Sequence, residues 1–355
     1  MRPSRLASRR PLRRLLGVLA AVVGIAVVAL VAGAASPSGH PADHPVARSA
    51  HSVAPAGDAA RGSSGVYLES AGGAAVRRAS AAHPERAIPE TAPLPVAAFD
   101  RPIAAYRRYA GRDAVAMAAP AARLTAALRR GDRGAARTAW TAAYRRYLLL
   151  GAAYGALGAL DDAIDGTPGG LRGGVHDPAF SGLHRVEHDL WTGRRPASIV
   201  PAAQRLQRLV ARLPARVRTV EITPLDYATR AHEILEDAQR DFLSDRAAPW
   251  SSAGVVATAA SVDATGVVLG TLRPILQGRG DALEPVETRM GQLRGVLAGI
   301  RRGHHGTTPR LDALGSTERA RLTGALGAAL EALAAVPGTL ETVLPPDVPK
   351  IPESR

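Results

Sequence analysis

From Phe99 onward, alanine and leucine recur at three- and four-residue intervals, in long runs cut by glycine and proline. Apolar residues at i, i+3, i+4 and i+7 line one side of a helix, whereas a half-buried strand alternates every second residue. No alternating stretch of useful length intervenes, so the pattern restricts this part of the chain to helices. The expected helices span 99–130, 132–165, 178–191, 197–213, 223–246, 252–277, 283–302 and 316–335. Breakers separate them: Gly131, Gly166 to Gly174, Gly193 with Pro196, Pro214, Pro249, Gly278 with Gly280, and Gly303 to Gly306. Such helices bury their apolar stripes against one another, so the expected class is all-α, packed as helical bundles.

The start of the chain is of another kind. Met1 to Arg14 carry six arginines and no acid, and an apolar or small run of 21 residues follows, Leu15 to Ala35. With Ala32-Gly33-Ala34 as a small-residue cleavage site, this is the pattern of an export signal. Ser8-Arg9-Arg10-Pro11-Leu12 resembles a twin-arginine signal. The run also reaches the ~20 residues that span a bilayer, so an uncleaved membrane anchor stays open beside a cleaved signal. Either way the rest of the chain is expected outside the cytoplasm, in the periplasm or cell envelope and near a membrane. Residues 35–94 are rich in Pro, Gly, Ser and Ala and read as a mostly disordered linker, with a short strand at Val66-Tyr67-Leu68. The expected division is therefore 1–34 signal or anchor, 35–94 linker, 95–345 helical domain and 346–355 tail.

Composition removes several classes of chemistry. There is no cysteine, which excludes disulfides, thiolate metal sites and cysteine nucleophiles. The net charge of +14 is carried by arginine, since Lys350 is the one lysine. The excess is spread in pairs such as Arg107-Arg108 and Arg145-Arg146, without interleaved aromatics. It reads as a solvated face, and no nucleic-acid partner is expected.

Three places interrupt the apolar stripes with ligand-type side chains. Along the second expected helix, Trp140, Tyr144, Tyr147, Gly151, Tyr154, Gly158, Asp161 and Asp165 share one face, so an aromatic and glycine stripe ends in two carboxylates. A buried carboxylate needs a cation or solvent. Next, Asp177-Pro178 offers a capping residue and a first-turn proline. In the helix they would open, His184, Glu187 and His188 stand at i, i+3 and i+4, a spacing that can chelate one metal ion. Finally Glu236 borders the stripe Leu225, Ala228, Ala231, Leu235, Ala238 and Phe242, with His232 one turn before it. Surface pairing of these acids with Arg230 or Arg240 is the plain alternative. The linker histidines His40, His44, His51 and His83, and the pair His304-His305, read as solvated, and Trp191 and Trp250 as core or cleft walls.

Taken together these segments resemble the imelysin-like family, in its EfeO-type branch of extracytoplasmic iron uptake components. Asp177-Pro178-Ala179-Phe180-Ser181-Gly182-Leu183-His184-Arg185-Val186-Glu187 is similar to the family block Asp-Pro-x-Phe-Thr-Gly-Phe-His-Arg-x-Glu. Leu160-Asp161-Asp162-Ala163-Ile164-Asp165 resembles its Leu-Asp-x-x-Ile-Asp, and Leu235-Glu236-Asp237 its Ile-Glu-Glu. Val262-Asp263 and Leu272-Arg273-Pro274 resemble two later signatures. The resemblance implies two packed up-and-down helical bundles. It implies a divalent cargo, iron first with zinc or manganese open, held by His184, Glu187, Glu236 and Asp161 and handed to a membrane iron permease and accessory uptake proteins. It implies no catalytic residue.

The chain also departs from that pattern. Gly151 stands where the family commonly has glutamate, and Ala159 replaces an aspartate. Acid-rich stretches correspond to Asp241 through Asp245 and to Gly254-Val255-Val256-Ala257, and His188 stands where the family usually has lysine. The linker is too short, and too poor in Cys and Met, for the cupredoxin-like domain of longer members. Two other readings stay open: a zinc metallopeptidase built on His184-x-x-Glu187-His188, with Glu233 or Glu236 as third ligand, and a metal-free helical scaffold.

Overall fold

The computed structural model describes residues 92–153 and 156–342. The expected export segment, the linker through residue 91 with its short strand, Tyr154 and the C-terminal tail lie outside the described residues. Within them every regular element is helical; the only extended pairing is one isolated bridge between Leu94 and Thr342.

The first expected helix is two. Asp100–Ala116 (α1) and Ala118–Arg129 (α2) are separated at Met117. Pro120 has no N–H to return to the preceding turn, which explains a break at this place. After Gly131, Asp132 caps Arg133–Leu148 (α3), accepting the Ala135 N–H at 2.9 Å.

The largest departure from expectation follows. The helix read as 132–165 stops at Leu148, continues as a 3-10 turn, Gly151–Ala153, and resumes as the separate Ala159–Asp165 (α4). Gly151 has φ +50°, and a Cβ there would lie 2.9 Å from the Cβ of Ala264, so the chain leaves the helix where it meets a neighbouring one. The hydroxyl of Tyr106 donates to the freed carbonyl of Leu150. The aromatic half of the expected stripe is right: Trp140, Tyr144 and Tyr147 are buried. The two carboxylates at its end belong to another helix.

Gly182–Trp191 (α5) begins later than Asp177-Pro178 suggests. Asp177 instead accepts from the N–H groups of Gly173 and Ala179 at 3.0 and 2.9 Å, closing an Asx-type turn. Gly182 has φ +79°, and a Cβ on it would come within 2.2 Å of the Ile164 carbonyl oxygen, so only glycine lets α5 start on the end of α4. Pro196–Val210 (α6) and Leu213–Thr219 (α7) follow. Thr223 then caps Pro224–Asp237 (α8), which runs into a π-helical turn, Ala238–Phe242. Gly254–Leu276 (α9), Leu283–Gly303 (α10), Ser316–Leu333 (α11) and Ala335–Thr339 (α12) complete the order.

Two four-membered rings result. In the first, α2 packs on α3, α3 on α5, α5 on α6 and α6 back on α2; in the second, α8, α9, α10 and α11 close in the same way. This is the pair of packed bundles that the family resemblance implies. Helix α9 also touches α1 and α3, so it is shared between them. Both α9 and Ser316–Thr339 are long and apolar enough to cross a membrane, but α9 owes its composition to that central place, with 61% of its most apolar stretch buried. Several arginines bind backbone carbonyls, as where Arg133 donates to Leu190 at 2.6 Å at the end of α5.

Candidate functional site

Helix α5 carries its functional side chains inward. His184 is 1% exposed and Glu187 0%. The Nδ1–H of His184 donates to Glu187 Oε2 at 2.8 Å, one turn on. The other oxygen, Oε1, accepts from the backbone N–H of Ser251 at 2.9 Å and from its hydroxyl at 2.8 Å. Glu187 is thus held by a loop 64 residues away in sequence. On the far side of the ring, His184 Nε2 stands 3.2 Å from Oδ1 of Asp165, an ion-pair contact whose geometry leaves that oxygen without a formed hydrogen bond. The ring also meets Tyr144 edge-on, at 5.5 Å between centroids.

Burial by itself would lower the pKa of His184, yet the carboxylates of Asp165 and Glu187 on its two sides outweigh it and push the value up to about 10. Near neutral pH the imidazole is therefore a cation between two carboxylates.

His184 and Asp165 line a cavity of about 330 Å³ between the ends of α3, α4 and α5 on one side and the π turn on the other. Asp237 reaches it from the end of α8, and Arg240 and Asp241 from the π turn, with Arg246 also in the lining. The Arg240 guanidinium bridges the acids, with Nη2 at 2.5 Å from Asp237 Oδ1 and 2.7 Å from Asp241 Oδ2. Among the described residues, no set of three or more His, Asp or Glu side chains stands in an arrangement that could hold a metal ion. The acids are spaced around organic cations.

The four residues expected at the site do not gather. Asp161 is on α4 with its Oδ1 accepting from the Tyr147 hydroxyl, while Asp165, one turn later, is the acid that meets His184. Glu236 is 38% exposed and lies 3.5 Å from His232 on its own helix, and Glu233 pairs with Arg230 at 2.8 Å. His188 turns away from His184: its Nδ1 is 3.0 Å from Asp189 and its ring packs edge-on against Trp250 at 5.0 Å. The two histidines thus face different neighbours, and both oxygens of Glu187 are engaged, which is not the layout of a zinc peptidase with a free general base. His304 lies 3.3 Å from Glu318. Trp191 packs on Trp140 at 5.2 Å, as a core wall. Asp237 and Asp241 escaped the sequence reading as site residues; their four-residue spacing was the available signal, hidden among surface acids.

Fold and site together describe an all-α, double-bundle protein with a buried imidazole between carboxylates at an acid-lined cavity. No protein-family model matches the chain. It is similar to the iron uptake system component EfeO of Yersinia pseudotuberculosis serotype I, 24% identical over 242 residues, 67% of this chain and 64% of that protein. EfeO of Escherichia coli strain K12 is 23% identical over 239 residues, 67% of this chain and 63% of that protein. The chain is a distant homologue of EfeO, and the match spans a little under two thirds of the relatives' length.

Proposed function

We propose that this chain is an extracytoplasmic metal-handling component of an iron uptake system, which takes up a divalent cation, iron first, and passes it to a membrane permease. The observation that carries the reading is His184: a buried imidazole locked through Nδ1 onto Glu187, with Nε2 turned to Asp165 at the cavity wall. Metal-binding histidines typically donate their second ring N–H to a carboxylate, which fixes the ring and makes the free nitrogen a better donor. On this reading Glu187 orients, and His184 Nε2 with Asp165 would offer the first two ligands, while Asp237 and Asp241 line the same cavity without standing in ligating distance as a set. Glu236 and Asp161 stand aside. A nitrogen and several carboxylate oxygens suit Fe(II), Mn(II) or Zn(II). The distant similarity to EfeO supports iron as the cargo.

Binding requires His184 to lose a proton, so uptake is expected to weaken in acid and to release protons. Calorimetry under anaerobic conditions with Fe(II), and in air with Mn(II) and Zn(II), tests the reading. Wild-type protein is expected to bind, and His184→Ala to lose at least about tenfold in affinity. Equal binding by both proteins, or none by wild type together with an unchanged melting temperature with and without chelator, overturns it in favour of a metal-free scaffold.

A further inference from the structure

We infer that the outer side of α6 and α7 is a docking surface for a bilayer rich in anionic phospholipid. The inference stands apart from the cavity and does not depend on whether a metal binds there. Charge is divided unevenly along the chain. Residues 92–220, which build α1 to α7, carry 20 arginines against 9 acids, whereas residues 221–342 carry 12 against 15. Within the first group, the 31 residues from Leu190 to Val220 hold seven arginines and no acid. The basic excess is therefore concentrated in the half of the chain that builds the first ring.

The fold turns these arginines outward. Ile199, Ala203, Leu206 and Val210 form the buried stripe of α6, which leaves Arg205 and Arg208 on its opposite side, three residues apart. Arg212 stands at the joint between α6 and α7, and Arg218 near the end of α7. All four are exposed, and none makes a side-chain hydrogen bond or ion pair among the described residues. On the neighbouring α2, Arg129 and the following Arg130 are exposed and unpaired in the same way.

The company these arginines keep selects the partner. A specific protein interface is centred on apolar or aromatic anchors. The exposed large hydrophobic side chains of the described residues are Val96, Val115 and Leu225, none of them on α6 or α7. Single-stranded nucleic acid is held by stacking on aromatic rings as well as by charge, and these two helices contain no aromatic residue. A phospholipid surface needs neither. Guanidinium forks match phosphate oxygens, and each basic group at an anionic bilayer strengthens binding about fivefold. The apolar run Leu15 to Ala35 is expected to bring the chain to a membrane.

The test uses the full chain. It has no cysteine, so Gln207→Cys on α6 and, separately, Thr323→Cys on α11, both at exposed positions, each accept a single fluorescent label. Vesicles carry a quencher in the headgroup layer and are made either of phosphatidylglycerol with phosphatidylcholine or of phosphatidylcholine alone. With phosphatidylglycerol present, the label at Gln207→Cys is expected to be quenched and the label at Thr323→Cys to stay bright. Adding Arg205→Gln, Arg208→Gln, Arg212→Gln and Arg218→Gln together should weaken the vesicle affinity read at Gln207→Cys at least about fiftyfold, with circular dichroism confirming the helical fold. Raising the salt from about 0.05 to about 0.5 M should also remove the quenching, which separates adsorption by charge from insertion of the apolar run. Equal quenching at both positions, quenching on phosphatidylcholine alone, or quenching that survives the four substitutions overturns the inference. Absence of quenching with phosphatidylglycerol overturns it in favour of an acidic protein as the partner of this face.

Discussion

Truncation of Glu187 to alanine should be among the most damaging single changes in this protein, and the damage should depend on pH. The carboxylate is fully buried and accepts from three donors, His184 Nδ1–H and the backbone and hydroxyl of Ser251. Removing one side of a buried charged pair while the other side stays costs ~3–5 kcal/mol. The pKa of His184 is raised on folding from 6.5 to about 10: burial opposes the shift, and Asp165 and Glu187 more than offset it. A raised pKa adds stability that is complete below the unfolded value and lost as pH climbs through the folded one. Wild-type stability should therefore decline between pH 6.5 and about 10 from this group. In Glu187→Ala that decline should shrink, because one of the two carboxylates that raise the pKa is gone. Urea unfolding followed by circular dichroism, with chelator present, should give a penalty of about 4 kcal/mol near pH 6. Above about pH 10 the penalty should fall to the ~1–3 kcal/mol left by the orphaned Ser251 donors. A penalty under ~1 kcal/mol near pH 6, or one that is the same at both pH values, would refute the description of a charged, buried triad.

Two further changes probe how the site is built. Gly182→Ala places a methyl against the Ile164 carbonyl at a left-handed φ of +79°. It should cost about 3 kcal/mol, seen as a melting temperature lower by roughly 8 °C; a drop of less than ~2 °C would mean that α5 does not need to start so close to α4. Trp140→Phe deletes the 2.8 Å hydrogen bond from the indole N–H to the Leu183 carbonyl next to His184. A loss of about 1 kcal/mol in chemical denaturation is expected, and an unchanged midpoint would contradict that bond.

The sequence shows the helical class and most helix positions, because alanine and leucine stripes report burial directly. It conceals the break after Leu148. Gly151 and Gly158 fit a helical face as well as they fit a terminus, and the choice is made by the approach of Ala264 on α9, more than a hundred residues later. Asp177-Pro178 looks like a helix start by local chemistry alone. Its side chain instead closes a turn onto Gly173 and Ala179, and the helix waits for the residue that fits against the end of α4. The pairing of His184 with Glu187 is legible from their three-residue spacing. That the two bind each other, with Ser251 holding the far oxygen, depends on a loop no local pattern points to. The π turn is the least visible feature, since it shifts the register of Asp237 and Asp241 against a periodicity that assumes an unbroken helix.

The shared position of α9 has a mechanical consequence. One wall of the cavity comes from helices anchored in the first ring and the other from the π turn that extends α8 of the second, and α9 is the beam on which both lean. Loosening either ring would bare a 23-residue apolar helix to water, so neither can melt or be clipped away alone. The gap between the walls is spanned by that beam, since α9 packs on α3 from one side and on α8 and the π turn from the other.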